Sequence, residues 1–529
     1  MLRRTARWPP LTTPVCLTTT TCYTPTRSRI LPPLTSSPSP RHALNRLLST
    51  APQTPSVTMS NTSGTKVASL PNGEMAASNF VSGLTQPDTH GPISALALDN
   101  FAAVRTGHPP PGTLPDAILP EGVDNPRLFT SVTLPFVEQR YKNRVIVSPM
   151  CQYSANNGMP SPYHIAHLGS FALHGVGNIM VEASGVVPEG RITPQCLGIW
   201  SEAHRDAHRA LVASLKSFTD GLAVGIQLAH AGRKASTWSP FHRGDKKFKN
   251  YVTEAEGGWP ERVVGPSAIA YDEGHITPKA LTVDEIRELQ ARFLQSARWA
   301  FEAGYDYVEL HGAHGYLFHN FLSPLSNQRT DEYGGSFEGR TKFLVDTARQ
   351  IRAEFPDKGL WVRISSTDFA DEAGKGDSWT VDQSVRLALI LNDLHVDLID
   401  VSGGGLVPFQ KINVGPGYQL FGARAIRNAL VEKAGSGGGA GREEAKRMLV
   451  GAVGMMEGSP DADNAHDPSV TGTLAEKSLR EGDSDVILLA RGMMANPKWA
   501  EDAAVALTGI RCAGNPQYHR VHPAKRPQH

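Results

Sequence analysis

The chain has 529 residues, and its 52 Lys and Arg against 51 Asp and Glu leave a formal net charge of +1. That balance lacks the basic surplus on which nucleic-acid binding rests, and no run of about 18 apolar residues offers a membrane span. The five cysteines, Cys16, Cys22, Cys151, Cys196 and Cys512, show no paired spacing in the foldable part, which argues against a disulfide scaffold and fits a reducing compartment.

Composition sets the N-terminal region apart. The first acidic residue is Glu74, whereas Arg3, Arg4, Arg7, Arg27, Arg29, Arg41 and Arg46 stand among many Ser, Thr and Pro. A basic, hydroxyl-rich, acid-free stretch is the signature of an organelle transit peptide. RLLSTAP (46–52) suits a processing site, so a mitochondrial location is expected, or a cytoplasmic one if translation starts at Met59. A Pro/Thr tail with no address is the alternative. Residues 1–95 are expected to be a disordered extension and 96–124 a linker. The folded domain is expected over 125–522, with a short tail at 523–529.

Within that domain, eight apolar runs follow one another. They are RVIVSPM (144–150), NIMVEASGV (178–186), AVGIQLAH (223–230), YDYVELHGAH (305–314), LWVRISS (360–366), VDLIDVSGG (396–404), RMLVGAVG (447–454) and DVILLARG (485–492). Nearly continuous Val, Ile and Leu is how strands buried on both faces read, and parallel sheets covered by helices need such strands. Amphipathic stretches lie between most of them. TVDEIRELQARFLQSARWAFEAG (282–304) opens with Thr282 and Glu285 in capping-box spacing, and GRTKFLVDTARQIRAEF (339–355) is another. The alternation predicts an α/β fold, a (β/α)8 TIM barrel of roughly 250 residues or more. An open doubly wound sheet would bring a glycine fingerprint after an early strand. The loose match GSGGGA (435–440) follows a helical stretch instead and reads as part of a flexible insertion. Further surface insertions are expected at 457–472 and at 237–260, the latter long enough for a lid or interface loop.

Barrel chemistry gathers at the C-terminal ends of the strands. There the chain places Ser148, Pro149, Met150, Cys151, Gln152 and Tyr153 after strand one, and Glu182, Ala183 and Ser184 at strand two. Gln227, His230, Arg233 and Lys234 follow at strand three, and His311, His314 and Tyr316 at strand four. Arg363 lies in strand five, Gly454 follows strand seven, and Ala490, Arg491 and Gly492 end strand eight. Taken singly, these residues have ordinary readings: a cysteine is commonly a small buried hydrophobe, and glycines can simply end strands. Glycines and an arginine after the last two strands also suit a phosphate. Two imidazoles three residues apart could ligate a metal, cradle a substrate oxygen or fill a core.

SPMCQYS (148–154), VEASGVVPEGRIT (181–193), GIQLAHAGRKA (225–235), HGAHGYLFHNFLSPLSNQRTDEYGGS (311–336) and VRISSTD (362–368) resemble the Old Yellow Enzyme family of flavin-dependent ene-reductases, also called NADPH dehydrogenases. Cys151, where the yeast enzymes carry threonine, resembles the cysteine-containing, bacterial-type subgroup. The resemblance covers roughly 125–522; the insertions at 237–260, 431–446 and 457–472 and the N-terminal extension depart from the compact bacterial pattern. It implies FMN in the barrel mouth, with NADPH or NADH as hydride donor. Ser148, Pro149, Met150 and Cys151 would line the flavin ring, with Ala183 and Gln227 at its pyrimidine edge and Arg363 near N1. Gly454, Ala490 and Arg491 would hold the phosphate, with alanine at 490 where the family often has glycine. His311 and His314 would hold the carbonyl oxygen of an enone, enal or quinone, Tyr316 would donate the proton, and Tyr153 would touch the substrate. The cysteine thiol would tune the flavin's potential. NPQYHR (515–520) resembles the segment whose arginine reaches a neighbouring subunit's site, so Arg520 would do this in a homodimer or homotetramer; an exposed charged tail is the plain alternative.

Two other classes compete. A metal-dependent barrel hydrolase would use His311 and His314 with His230 or Glu309 as a third ligand. A non-catalytic barrel would bind a ligand only. The joint presence of His311, His314, Tyr316, Arg363 and Arg491 favours the flavin reading, with no metal.

Overall fold

The computed structural model describes residues 108–114, 119–242, 249–371, 374, 376–435, 446–461, 467–518 and 520. The expected N-terminal extension lies outside the described residues, as do most of the linker, the tail and parts of all three insertions.

Eight parallel strands close into a barrel. They are β1 (Val145–Val147), β2 (Asn178–Gly185), β3 (Ala223–Ala229), β4 (Tyr307–Gly312), β5 (Gly359–Ser365), β6 (Leu398–Ser402), β7 (Leu449–Ala452) and β8 (Val486–Leu489). β8 pairs with β1 through Ile487 and Val145, Leu488 and Ile146, and Leu489 and Val147, so no edge remains. Each strand falls inside one of the expected runs or within a residue of it. The runs extend further because their last residues leave the sheet to form the mouth.

Among the described residues, eight longer helices, α1 to α8, surround the barrel: Pro162–Ala172, Glu202–Phe218, Val283–Glu302, Phe337–Glu354, Val381–Asp393, Leu420–Gly435, Thr473–Glu481 and Trp499–Thr508. α3 has the expected capping box. Thr282 Oγ1 accepts from Glu285 N at 3.2 Å, and Glu285 Oε2 accepts from Thr282 N at 2.8 Å. Its buried residues Ile286, Leu289, Phe293, Ala297 and Ala300 follow the 3.6-residue period and face the sheet.

Two apolar layers result. The outer one lies between strands and helices. The inner one fills the barrel with Ile146, Met180, Tyr307, Trp361, Leu398, Val486 and Leu488. Tyr307 stacks on Trp361 with centroids 3.8 Å apart. A Cβ at Gly225 would lie 2.0 Å from the Tyr307 ring, so only glycine leaves that ring its place. A hairpin pairing Val132–Thr133 with Arg140–Tyr141 brings Tyr141 edge-on to Trp361, at 6.1 Å. That end of the barrel is plugged, and the polar residues collect at the other. The described part of the 237–260 excursion contains two single turns, Glu254–Glu256 and Pro260–Arg262. Beyond it, Val264–Gly265 pairs with Lys279–Ala280.

Candidate active site

Strand register builds the mouth. His311 on β4 pairs with Arg363 on β5, which pairs with Asp400 on β6. One step deeper, Gln227 on β3 pairs with Glu309 on β4. Residues two apart on a strand share a face, so Glu309 lies beneath His311 on the inner side.

Arg363 is held from two directions. Its Nη2 donates to Ser148 Oγ at 2.9 Å, and its Nε lies 2.7 Å from Asp400 Oδ2. Gln227 Nε2 donates to Glu309 Oε1 at 2.7 Å, while Glu309 Oε2 has no partner. Two buried carboxyls thus face one guanidinium. Burial pushes the Glu309 carboxyl well above its usual range, and Asp400 nearby adds to this. Asp400 is raised to about 6, burial outweighing the attraction of Arg363.

After β4 the chain turns sharply. His314 has φ +60° and Gly315 φ +71°. Gly405, after β6, comes so close that a Cβ there would lie 2.6 Å from His314 Cα. His314 N donates to Ser365 Oγ at 3.0 Å, and its Nε2 lies 2.7 Å from Ser402 Oγ. Lys234 Nζ donates to the carbonyls of His314, at 2.9 Å, and Gly405. The Lys234 ammonium is brought down to about 7 by burial and by Arg233. The third histidine of the motif, His319, is scaffold. It accepts from Gly315 N at 2.9 Å and pairs with Asp368 at 2.8 Å, which also accepts from Ser323 Oγ and Trp379 N.

The His311 ring stands 5.3 Å from His314 and 5.0 Å from Tyr316. His311 Nδ1 is buried without a partner. Burial, then the charge of Arg363, lowers both imidazoles well below their ordinary value. They are therefore neutral donors at pH 7. Burial raises the Tyr316 phenol, which keeps its proton. Tyr153 has φ +53° and packs edge-on against Phe241 at 5.8 Å. Ala183 is buried near the end of β2, and Cys151 after β1 is half-buried.

On the far side, Gly454 has φ +116° after β7. Ala490 precedes the single-turn helix Arg491–Ala495, and the Arg491 side chain is exposed. Gly492 N in that turn donates to Glu457 Oε1 at 3.1 Å, a carboxylate that sequence reasoning missed. The expected residues from Ser148 to Arg491 thus ring one mouth. Arg520 stands apart and exposed, beyond Tyr518, whose ring stacks on His174 at 5.6 Å. The rival metal site lacks its third ligand. His230 Nδ1 accepts from Gly232 N, Glu309 serves Gln227, and among the described residues no three His, Cys, Asp or Glu converge.

The model of the NADH:flavin oxidoreductase / NADH oxidase family matches residues 127–442. An NADH:flavin oxidoreductase of Gibberella zeae is 38% identical over 411 residues, which is 76% of this chain and 90% of that protein. The NADPH dehydrogenase of Bacillus subtilis is 39% identical over 383 residues, or 72% of this chain and 95% of that one. This chain belongs to that family, the Old Yellow Enzymes. Among solved structures, morphinone reductase superposes with a TM-score of 0.53 at 23% identity, covering 75% of this chain and 93% of its own, and shares the fold. The family makes this an FMN-dependent oxidoreductase that takes electrons from NAD(P)H. The mouth suits such a flavin on its own evidence. It offers a buried cation, an unpartnered imidazole nitrogen, a positive-φ glycine and an exposed arginine at a helix start.

Proposed function

We propose that the protein reduces the C=C bond of α,β-unsaturated carbonyl compounds in two half-reactions at one site. The observation that carries this is the pair of neutral imidazoles, buried His311 and half-buried His314, beside the protonated phenol of Tyr316. Bound FMN supplies hydride once NAD(P)H has reduced it. His311 and His314 donate to the substrate's carbonyl oxygen, where negative charge builds during the reaction. Preorganised donors at that atom are usually the largest single catalytic contribution. Tyr316 gives its proton to the α-carbon and must lie within hydrogen-bond reach to do so. Tyr153 contacts the substrate, with Phe241 as its outer wall.

For the cofactor, Ser148, Pro149, Met150 and Cys151 would line the ring, and Ala183 and Gln227 would hold its pyrimidine edge. Arg363, fixed by Ser148 and Asp400, stabilises negative charge near N1. Gly454, Ala490 and Arg491 take the phosphate. Glu457 must then release the Gly492 amide or share it.

Purification followed by anaerobic stopped-flow tests the reading. A yellow protein is expected, bleached by NADPH and reoxidised by 2-cyclohexenone. Reduced flavin that the enone leaves unchanged would remove the ene-reductase assignment. Arg520 is assigned to a neighbouring subunit's mouth in a dimer or tetramer. Truncation before Tyr518 should raise the Michaelis constant for the enone, and an unchanged constant and assembly would dispose of that role.

A further inference from the structure

Ser365 ends β5, Ser402 ends β6, and the two pair across the strands. Both are buried, and both meet His314. Ser365 Oγ accepts from His314 N at 3.0 Å and donates to Gly404 O at 2.8 Å. Ser402 Oγ lies 2.7 Å from His314 Nε2. From the other flank, Lys234 Nζ donates to His314 O at 2.9 Å. The turn is thus held by its amide, its carbonyl and one ring nitrogen.

We propose that Ser402 is a positioning residue for the reaction: its hydroxyl donates to His314 Nε2, holds the ring in the tautomer protonated on Nδ1, and so makes Nδ1 the nitrogen that donates to the substrate's oxygen. The role of the tautomer in turnover rests on the ene-reductase reading above. The tautomer itself rests on the hydrogen bonds alone.

The direction of the bond follows from counting hydrogens. Ser402 is 4% exposed, and among the described residues His314 Nε2 is the one partner of its hydroxyl. If Nε2 carried the proton and donated, the serine hydrogen would be buried without an acceptor, which folded proteins avoid. A neutral imidazole has one N–H and one lone pair. With the lone pair on Nε2, the proton sits on Nδ1. Among the described residues Nδ1 has no partner, and it is not shut away from the surface as His311 Nδ1 is. The reverse tautomer would turn a lone pair on Nδ1 toward the oxygen where negative charge develops, and would repel it.

The test starts from FMN-loaded wild-type protein carrying isotope-labelled histidine. Long-range proton–nitrogen correlation spectra separate a protonated ring nitrogen from a bare one, and His314→Ala assigns the signal. A proton on Nδ1 of His314 is expected, and a proton on Nε2 would overturn the proposal. This readout needs no turnover. A wild-type protein that shows the Nδ1 proton yet leaves 2-cyclohexenone unreduced would remove the ene-reductase reading and leave the tautomer standing. Ser402→Ala should keep its flavin, move the proton to Nε2, and slow reoxidation of reduced flavin by 2-cyclohexenone by about 10- to 100-fold, somewhat less than loss of a donor outright. Ser402→Thr keeps the hydroxyl and should restore both tautomer and rate. An unchanged tautomer and rate in Ser402→Ala would dispose of the role, as would a slow Ser402→Thr that still holds its proton on Nδ1.

Discussion

At the residue scale, the mouth depends on which side chains stay neutral. His311 sits beside Arg363 and above Glu309, and burial makes a second positive charge unfavourable there. As a neutral donor it binds an oxygen without having to lose a proton near pH 7. His311→Ala should therefore leave flavin content unchanged, weaken binding of phenols, and slow enone turnover by about 10²–10³-fold. Flavin titration and phenol binding by difference spectra separate these effects; loss of flavin would place the ring elsewhere in the chemistry. Glu309 gives a prediction in stability. Its folded carboxyl keeps a proton that the unfolded chain releases near pH ~4.3. Above that pH, stability falls as pH rises, by up to about 1.4 kcal/mol per pH unit, until folded Glu309 itself ionises. Glu309→Gln removes that slope, so the variant should gain on the wild type as pH rises from about 4 to 7. Denaturant unfolding of FMN-free protein at stepped pH measures it, and parallel profiles would refute it.

At the element scale, strands and helices were legible because each had a local cause. Apolar runs of strand length marked all eight strands, and Thr282 with Glu285 marked the start of α3. HGAHGY stood out as a candidate site because its residue types are unusual at a strand end. What the sequence hid depends on register. Nothing local says that Asp400 lies beside Arg363 or that Lys234 holds His314 and Gly405. One signal was available: Glu309, charged in an apolar strand and two residues before His311, had to share its inner face. Gly225 is a similar case. It looks like a weak strand residue, but its missing Cβ admits the Tyr307 ring. That ring cannot retreat, since it stacks on Trp361 and its hydroxyl donates to Asn178. Gly225→Ala should destabilise the barrel by about 1–3 kcal/mol through overpacking. Chemical denaturation checks this, and an unchanged midpoint would mean the ring has room to move.

At the scale of the whole molecule, the barrel divides its labour along its axis. One end is sealed by Tyr141, Tyr307 and Trp361, which pack ring against ring. The other holds Arg363, Asp400, Glu309 and the two histidines; buried polar atoms go unpartnered there and also in the plug, at Tyr141 Oη and Trp361 Nε1. Such groups cost stability unless something binds them. The apolar end offsets that cost, and FMN at the mouth adds further stability by mass action. The two ends should then respond differently to mutation. Trp361 is fully buried in the plug, a layer below Arg363 on the same strand. Trp361→Ala should cost about 3–5 kcal/mol. Below its lowered melting temperature, the variant should still bind FMN and turn over enone at nearly the wild-type rate. His311→Ala should do the reverse, losing turnover with little change in melting. Thermal unfolding with and without FMN, set beside steady-state rates, measures both. If Trp361→Ala instead lost activity while staying folded, the plug would be coupled to the mouth, and the axial division of labour would fail.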